Sequence, residues 1–161
     1  MAHRGPDNYG AYIDDHVSLA HRRLSVIDLT EAANQPFTKG HLTLVYNGEV
    51  YNYVELAREL EDRYGSQFQT RSDVEVIVEA YDKLGQACVD RFNGMFSFAL
   101  WNARDRTFFV ARDRLGVKPL FLLRKGSSYF FASDLKALWE VHSPASNINP
   151  HAIYNYFGQG F

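Results

Sequence analysis

Apolar and polar residues alternate along this chain with two periods, and the changes from one to the other mark its elements. A period of two belongs to strands, whose successive side chains point to opposite faces; a period near 3.6 belongs to helices. Residues 12–13 and 17–21 flank the polar Asp14-Asp15-His16 and predict two strands joined by a turn. Residues 42–46 form a short apolar, β-branched run that ends at Asn47-Gly48, a strong turn dipeptide. A helix is expected next, with Asn52 and Glu55 as a capping box, Val54, Ala57, Leu60 and Tyr64 as its stripe, and Gly65 as its end. Ser72 and Glu75 open a second helix, with Val74, Ile77, Val78 and Tyr81 on its apolar side and Gly85 closing it. Residues 96–101 and 107–111 alternate around the polar turn 102–106, and residues 120–123 and 129–132 repeat the pattern around Lys125-Gly126-Ser127. Several antiparallel strands with two central helices predict an α+β fold, sheets against helices, and argue against a βαβ dinucleotide fold.

Composition narrows this further. A chain of 161 residues suits one domain, and 12 Phe and 10 Tyr supply a well-filled core. A net charge of −2 with mixed signs leaves no basic footprint, so no nucleic-acid partner is expected. One cysteine excludes an internal disulfide and suits a reducing compartment. No run approaches the roughly 20 apolar residues that span a bilayer, and residues 3–8 are polar, unlike a signal peptide. The expectation is a cytoplasmic domain with no membrane partner. From 142 to 150 the composition shifts to Ser, Pro and Asn, a linker, and residues 151–157 begin another helix. The expected division is therefore a domain over residues 1–141 and, over residues 142–161, a linker and the start of a further domain, with both ends of the chain cut.

Some candidates for chemistry read weakly alone. Asn47-Gly48-Glu49 also fits a plain turn, Arg23 a surface charge, and Asp73 a first-turn carboxylate meeting the helix dipole. Cys88 has no nearby histidine and nothing local to lower its pKa, so it reads as a small buried hydrophobe. The six histidines show no metal-ligand spacing, and no phosphate-binding glycine motif occurs, so no cofactor or metal is expected in this chain.

His3-Arg4-Gly5-Pro6-Asp7, completed by Gly10, resembles the HRGPD…G signature of class II glutamine amidotransferases. Four more segments follow in that family's order: His21-Arg22-Arg23-Leu24-Ser25-Val26-Ile27, Asn47-Gly48-Glu49, Arg71-Ser72-Asp73, and the run 112–120 (Arg-Asp-Arg-Leu-Gly-Val-Lys-Pro-Leu). Ser133-Asp134-Leu135-Lys136-Ala137-Leu138 is similar to its S-E-x-K-A-L, with Asp in place of Glu. The resemblance covers nearly the whole chain and is nearest to the glutaminase domain of glutamine-hydrolysing asparagine synthase. It implies an N-terminal-nucleophile hydrolase fold, an αββα sandwich of two antiparallel sheets between helices.

The resemblance also implies a site. Arg23 would fork onto the glutamine α-carboxylate, Asp73 would hold the α-ammonium, and Glu49 would sit by the same amine. Asn47 and Gly48 would form the oxyanion hole, where one donor is typically worth about 10²–10³ in rate. The backbone through Ile27 would line the pocket. The family's nucleophile is an N-terminal cysteine whose own α-amine, with pKa ~8, acts as base. This chain begins Met1-Ala2, so it is expected to lack the N-terminal strand and the nucleophile. In the complete enzyme, ammonia would pass to a C-terminal synthetase domain of the same polypeptide. That domain would use ATP and Mg2+ to adenylate aspartate, giving asparagine, AMP and pyrophosphate. The resemblance leaves open a homodimer, a non-catalytic glutamine-binding or scaffold role, and an amidotransferase for another acceptor.

Overall fold

The computed structural model describes residues 2–24, 31–141 and 149–159. The chain divides into two compact units, Met1–Pro119 and Leu120–Phe161.

The centre of the first unit is a four-stranded antiparallel sheet in the order β3 (Phe37–Lys39), β4 (Leu42–Val50), β5 (Gly94–Asn102), β6 (Thr107–Arg112). β4 and β5 pair residue for residue from Leu42 with Asn102 to Val50 with Gly94. One face carries Leu42, Leu44, Tyr46, Phe96, Phe98 and Leu100 into a core shared with α1 (Tyr53–Tyr64) and α2 (Asp73–Leu84). Leu44, Leu100 and Ile77 are fully buried there, so truncating any of them to Ala would cost about 2–5 kcal/mol. Phe96, Phe98 and Phe109 pack against Phe92 or one another with ring centroids 5.7–5.9 Å apart. The opposite face carries Thr43, Val45, Ser97, Ala99 and Trp101, as strand alternation requires. There the hairpin of β1 (Asn8–Ile13) and β2 (Ser18–Arg23) packs. Trp101 Nε1 donates to Asp14 Oδ2 in the hairpin turn at 2.7 Å, and Leu19 of β2 is buried.

Two expected local features form differently. Asn47-Gly48 is not a turn, because β4 continues through both residues to Val50. Gly48 has φ +153°, and a Cβ on it would lie 2.2 Å from the Met95 carbonyl oxygen; one on Gly94 would lie 2.1 Å from that of Glu49. The paired glycines let the two backbones close together, and that pairing overrides the dipeptide's turn tendency. The capping boxes are also half-made. Asn52 stands at the N-cap of α1, but its side chain bonds the Arg91 carbonyl and the Asn93 N–H instead. Ser72 does cap α2, accepting from the Val74 N–H at 3.2 Å. Glu75 turns away from it, accepting from the Gln69 and Thr70 N–H groups and from Lys39. In α1 the buried stripe is Leu56 and Leu60, whereas Val54 and Tyr64 are exposed.

The second unit holds the hairpin β7 (Phe121–Lys125) and β8 (Ser128–Ala132), turned at Gly126 with φ +63°. α3 (Leu135–Trp139) follows, capped by Asp134, which accepts from the Lys136 N–H. α4 (Pro150–Gln159) contains the helix expected over 151–157, with Tyr154, Tyr156 and Phe157 exposed. The linker expected from residue 142 falls on residues 142–148, outside the described ones. All strands described pair antiparallel, in keeping with the expected α+β class. No described helix is long and apolar enough to cross a membrane.

Candidate functional site

Where β3 stops at Phe37, paired with Leu44, the outer edge of β4 loses its strand partner. Two side chains replace it. The Tyr46 N–H donates to Gln35 Oε1 at 2.6 Å, and the Tyr46 carbonyl accepts from His21 Nε2 at 3.0 Å. The Tyr46 hydroxyl, on the helix side, donates to Asp73 Oδ2 at 2.7 Å. Tyr46 is thus held at three points, and the segment Asn47-Gly48-Glu49 leaves directly from it.

Asn47 points to the face opposite Tyr46. Its Nδ2 is buried and has no hydrogen-bond partner among the described residues. A buried N–H without an acceptor typically costs about 1–3 kcal/mol, so this is a donor short of a ligand. Glu49, two residues on, shares that face and is half-buried.

Asp73 opens α2 and is 3% exposed. Oδ2 accepts from the Tyr46 hydroxyl and, at 3.1 Å, from the Val50 N–H. Burial raises its carboxyl above the ordinary carboxylate value, and those donors do not fully offset it. Asp73 thus lies in the first turn of α2 and meets β4 on either side of residues 47–49.

Arg23 ends β2 and is 6% exposed, so it is no surface charge. Its Nη1 donates to Asn34 Oδ1 at 2.7 Å. The His3–Asp7 segment braces it: the Asp7 N–H donates to the Arg23 carbonyl at 3.0 Å, and a Cβ on Gly5 would lie 2.4 Å from the Arg22 carbonyl. Arg22 is the exposed neighbour, its guanidinium over the Tyr9 ring. Ile27 lies outside the described residues.

Cys88 belongs to the core cluster and is fully buried; burial pushes its thiol up to about 12. It is therefore a structural hydrophobe. Arg112 and Asp113 turn to different partners. Arg112 donates to the Gly116 and Lys118 carbonyls, while Asp113 collects the Phe96, Val117 and Lys118 N–H groups. Among the described residues no group of three or more His, Cys, Asp or Glu could hold a metal ion.

Of the five described site candidates, Asn47, Gly48 and Glu49 lie on β4, Asp73 meets that strand on its helix side, and Arg23 ends β2 of the hairpin on the opposite face. Two clefts, of about 280 and 320 Å3, lie elsewhere, one between α1 and the segment before α2 and one beside Lys39 and Glu79. Sequence reasoning missed His21, Gln35 and Tyr46 as part of this architecture. Their contacts join residues 25, 11 and 27 positions apart, and no local spacing signals them.

Comparison with known proteins adds a second line. The glutamine amidotransferase domain family matches residues 1–161. Asparagine synthetase [glutamine-hydrolyzing] 3 of Bacillus subtilis is 40% identical over 99% of this chain and 26% of its own length. Asparagine synthetase B of Escherichia coli is 42% identical over 88% of this chain and 26% of its own. A putative asparagine synthetase of Methanocaldococcus jannaschii is 36% identical over all of this chain and 35% of its own. The chain therefore spans about a quarter to a third of these relatives' lengths. Among solved structures, the glutamine phosphoribosylpyrophosphate amidotransferase of B. subtilis superposes with a TM-score of 0.63 at 27% identity. That match covers 75% of this chain and 28% of that one.

Proposed function

The chain belongs to the glutamine amidotransferase domain family, and from that premise we propose that it is the glutamine-binding domain of a glutamine-hydrolysing asparagine synthase. The observation that carries the reading is the bare, buried Asn47 Nδ2 beside the tightly packed Gly48. A donor left unpaired in the free protein can meet a developing oxyanion with no competing partner to displace.

In this reading Arg23 binds the α-carboxylate of glutamine, with the backbone through Ile27 lining the pocket, and Asp73 and Glu49 bind the α-ammonium. Burial keeps Asp73 short of compensating charge, which an ammonium would supply. Asn47 and Gly48 stabilise the tetrahedral intermediate. The attacking thiol is not Cys88, whose sulfur is sealed in the core. In the family it is an N-terminal cysteine, and the 161 residues given hold no cysteine besides Cys88. This polypeptide binds glutamine through these residues. The released ammonia would pass to a C-terminal synthetase domain of the longer protein, which would use ATP and Mg2+ on aspartate. The share of the relatives left unmatched leaves room for such a domain.

Calorimetric titration of the 161-residue chain with L-glutamine tests this. Saturable binding, with D-glutamine and L-asparagine binding at least about tenfold more weakly, is the expected result. Equal affinity for all three, or no binding at millimolar ligand, would remove the glutamine site. Turnover abolished by Cys88→Ala would overturn the reading of Cys88.

A further inference from the structure

His21 and Gln35 lie outside every role assigned so far, yet both spend their side chains on one residue. Gln35 Oε1 takes the Tyr46 N–H at 2.6 Å, and His21 Nε2 lies 3.0 Å from the Tyr46 carbonyl. A carbonyl only accepts, so the His21 proton must sit on Nε2. The other ring nitrogen, Nδ1, is buried and has no partner. Among the described residues, the bond to Tyr46 is then the only hydrogen bond this ring makes. Tyr46 in turn donates its phenol to Asp73 at 2.7 Å, and Asn47 is its chain neighbour. The backbone carbonyl of Gln35 is itself backed by Gly10, where a Cβ would lie 2.2 Å away.

We propose that His21 and Gln35 are positioning residues: by gripping both backbone polar groups of Tyr46, they fix the Asn47 amide beyond it and, through the Tyr46 phenol, the Asp73 carboxylate. This inference rests on the glutamine site described above. Tyr46 links the two ends of that site. Its backbone aims the oxyanion donor and its side chain steadies the ammonium ligand. β3 ends before reaching it, so without the two side chains this stretch of β4 would have a free edge beside the reacting amide. Burial lowers the His21 pKa to about 4, with the Tyr46 carbonyl opposing and Arg23 adding to the fall. The ring is therefore neutral at physiological pH, with its single proton committed to Tyr46.

The test compares His21→Gln, whose side-chain amide can still donate to the Tyr46 carbonyl, with His21→Leu, which cannot. In the ¹⁵N-labelled free chain, His21→Leu is expected to shift the Asn47 side-chain NH2 signals and His21→Gln to leave them near their parent positions. Glutamine affinity is expected to fall about tenfold in His21→Leu, the scale of one lost hydrogen bond, and to return within about threefold in His21→Gln. Unmoved Asn47 signals in His21→Leu, or equal loss in both variants, would overturn the proposal. If His21→Leu does not fold, the parent chain still decides: a long-range ¹⁵N spectrum must show His21 protonated at Nε2, and a proton on Nδ1 would sink the brace. Absence of glutamine binding by the parent would count against the site, whereas the Asn47 and His21 signals judge the brace without ligand.

Discussion

Asp73 and Asp113 are both nearly closed to solvent, at 3% and 6% exposure, but Asp73 lies deeper in the protein, and folding moves their carboxyls in opposite directions. Burial pushes both up. At Asp113 the N–H groups of Lys118, Val117, Phe96 and Leu115 outweigh it, and the carboxyl falls below its ordinary value. At Asp73 the Tyr46 hydroxyl and the N–H groups of Val50, Val74 and Asp73 itself leave a remainder, and the carboxyl stays above it. A carboxylate whose backbone donors satisfy it is a finished structural part, tying the 112–118 loop to β5. A buried carboxylate held above its ordinary value is suited to the cation that the proposed glutamine site would bring to it.

The largest effect that could break this contrast is on folding. Asp113→Asn turns an amide donor toward backbone N–H groups and is expected to lower Tm by about 10 °C in a thermal melt followed by circular dichroism. A drop within experimental error would make Asp113 dispensable. Next comes Asp73→Asn, expected to weaken glutamine binding by about 30-fold in calorimetry while leaving Tm unchanged or raised. A large fall in Tm with affinity intact would make Asp73 a second structural anion and end the distinction. The smallest signal is in pH, and it sharpens the contrast. Asp73 holds its proton more tightly folded than unfolded, so its contribution is full below the ordinary value of 3.8 and fades as pH rises through the raised one. Asp113 contributes above 3.8 and loses that contribution as pH falls through its lowered value. Urea unfolding between about pH 3 and 7 should give a parent-minus-variant difference that falls with pH for Asp73→Asn and rises for Asp113→Asn. Parallel slopes would contradict the pair.

The sequence made most elements legible because their signals are local. Both central helices, three of the hairpins and the glycine ends of α1 and α2 follow from periodicity and punctuation. The failures come where distant chain intervenes. Asn47-Gly48 reads as a turn until β5 supplies Gly94 and Met95 to pair with it. Asn52 reads as a capping side chain until Arg91 and Asn93 claim it. Among the site candidates, motif resemblance gave the positions of Arg23, Asn47, Gly48, Glu49 and Asp73. It gave no hint that Arg23 is buried against Asn34 or that Tyr46 links β4 to Asp73, since both depend on pairs brought together by folding.

Cys88 has a use that follows from its seclusion. With its sulfur fully buried in the core and no second cysteine in the sequence, the folded chain should be nearly silent toward maleimides. Labelling must then wait for the core between α2 and β5 to open, so the rate of mass gain becomes a clock for that opening. Glutamine that binds only the closed state would slow the clock in proportion to its occupancy. A single native atom can thus report ligand engagement in time, without any dye placed near the site.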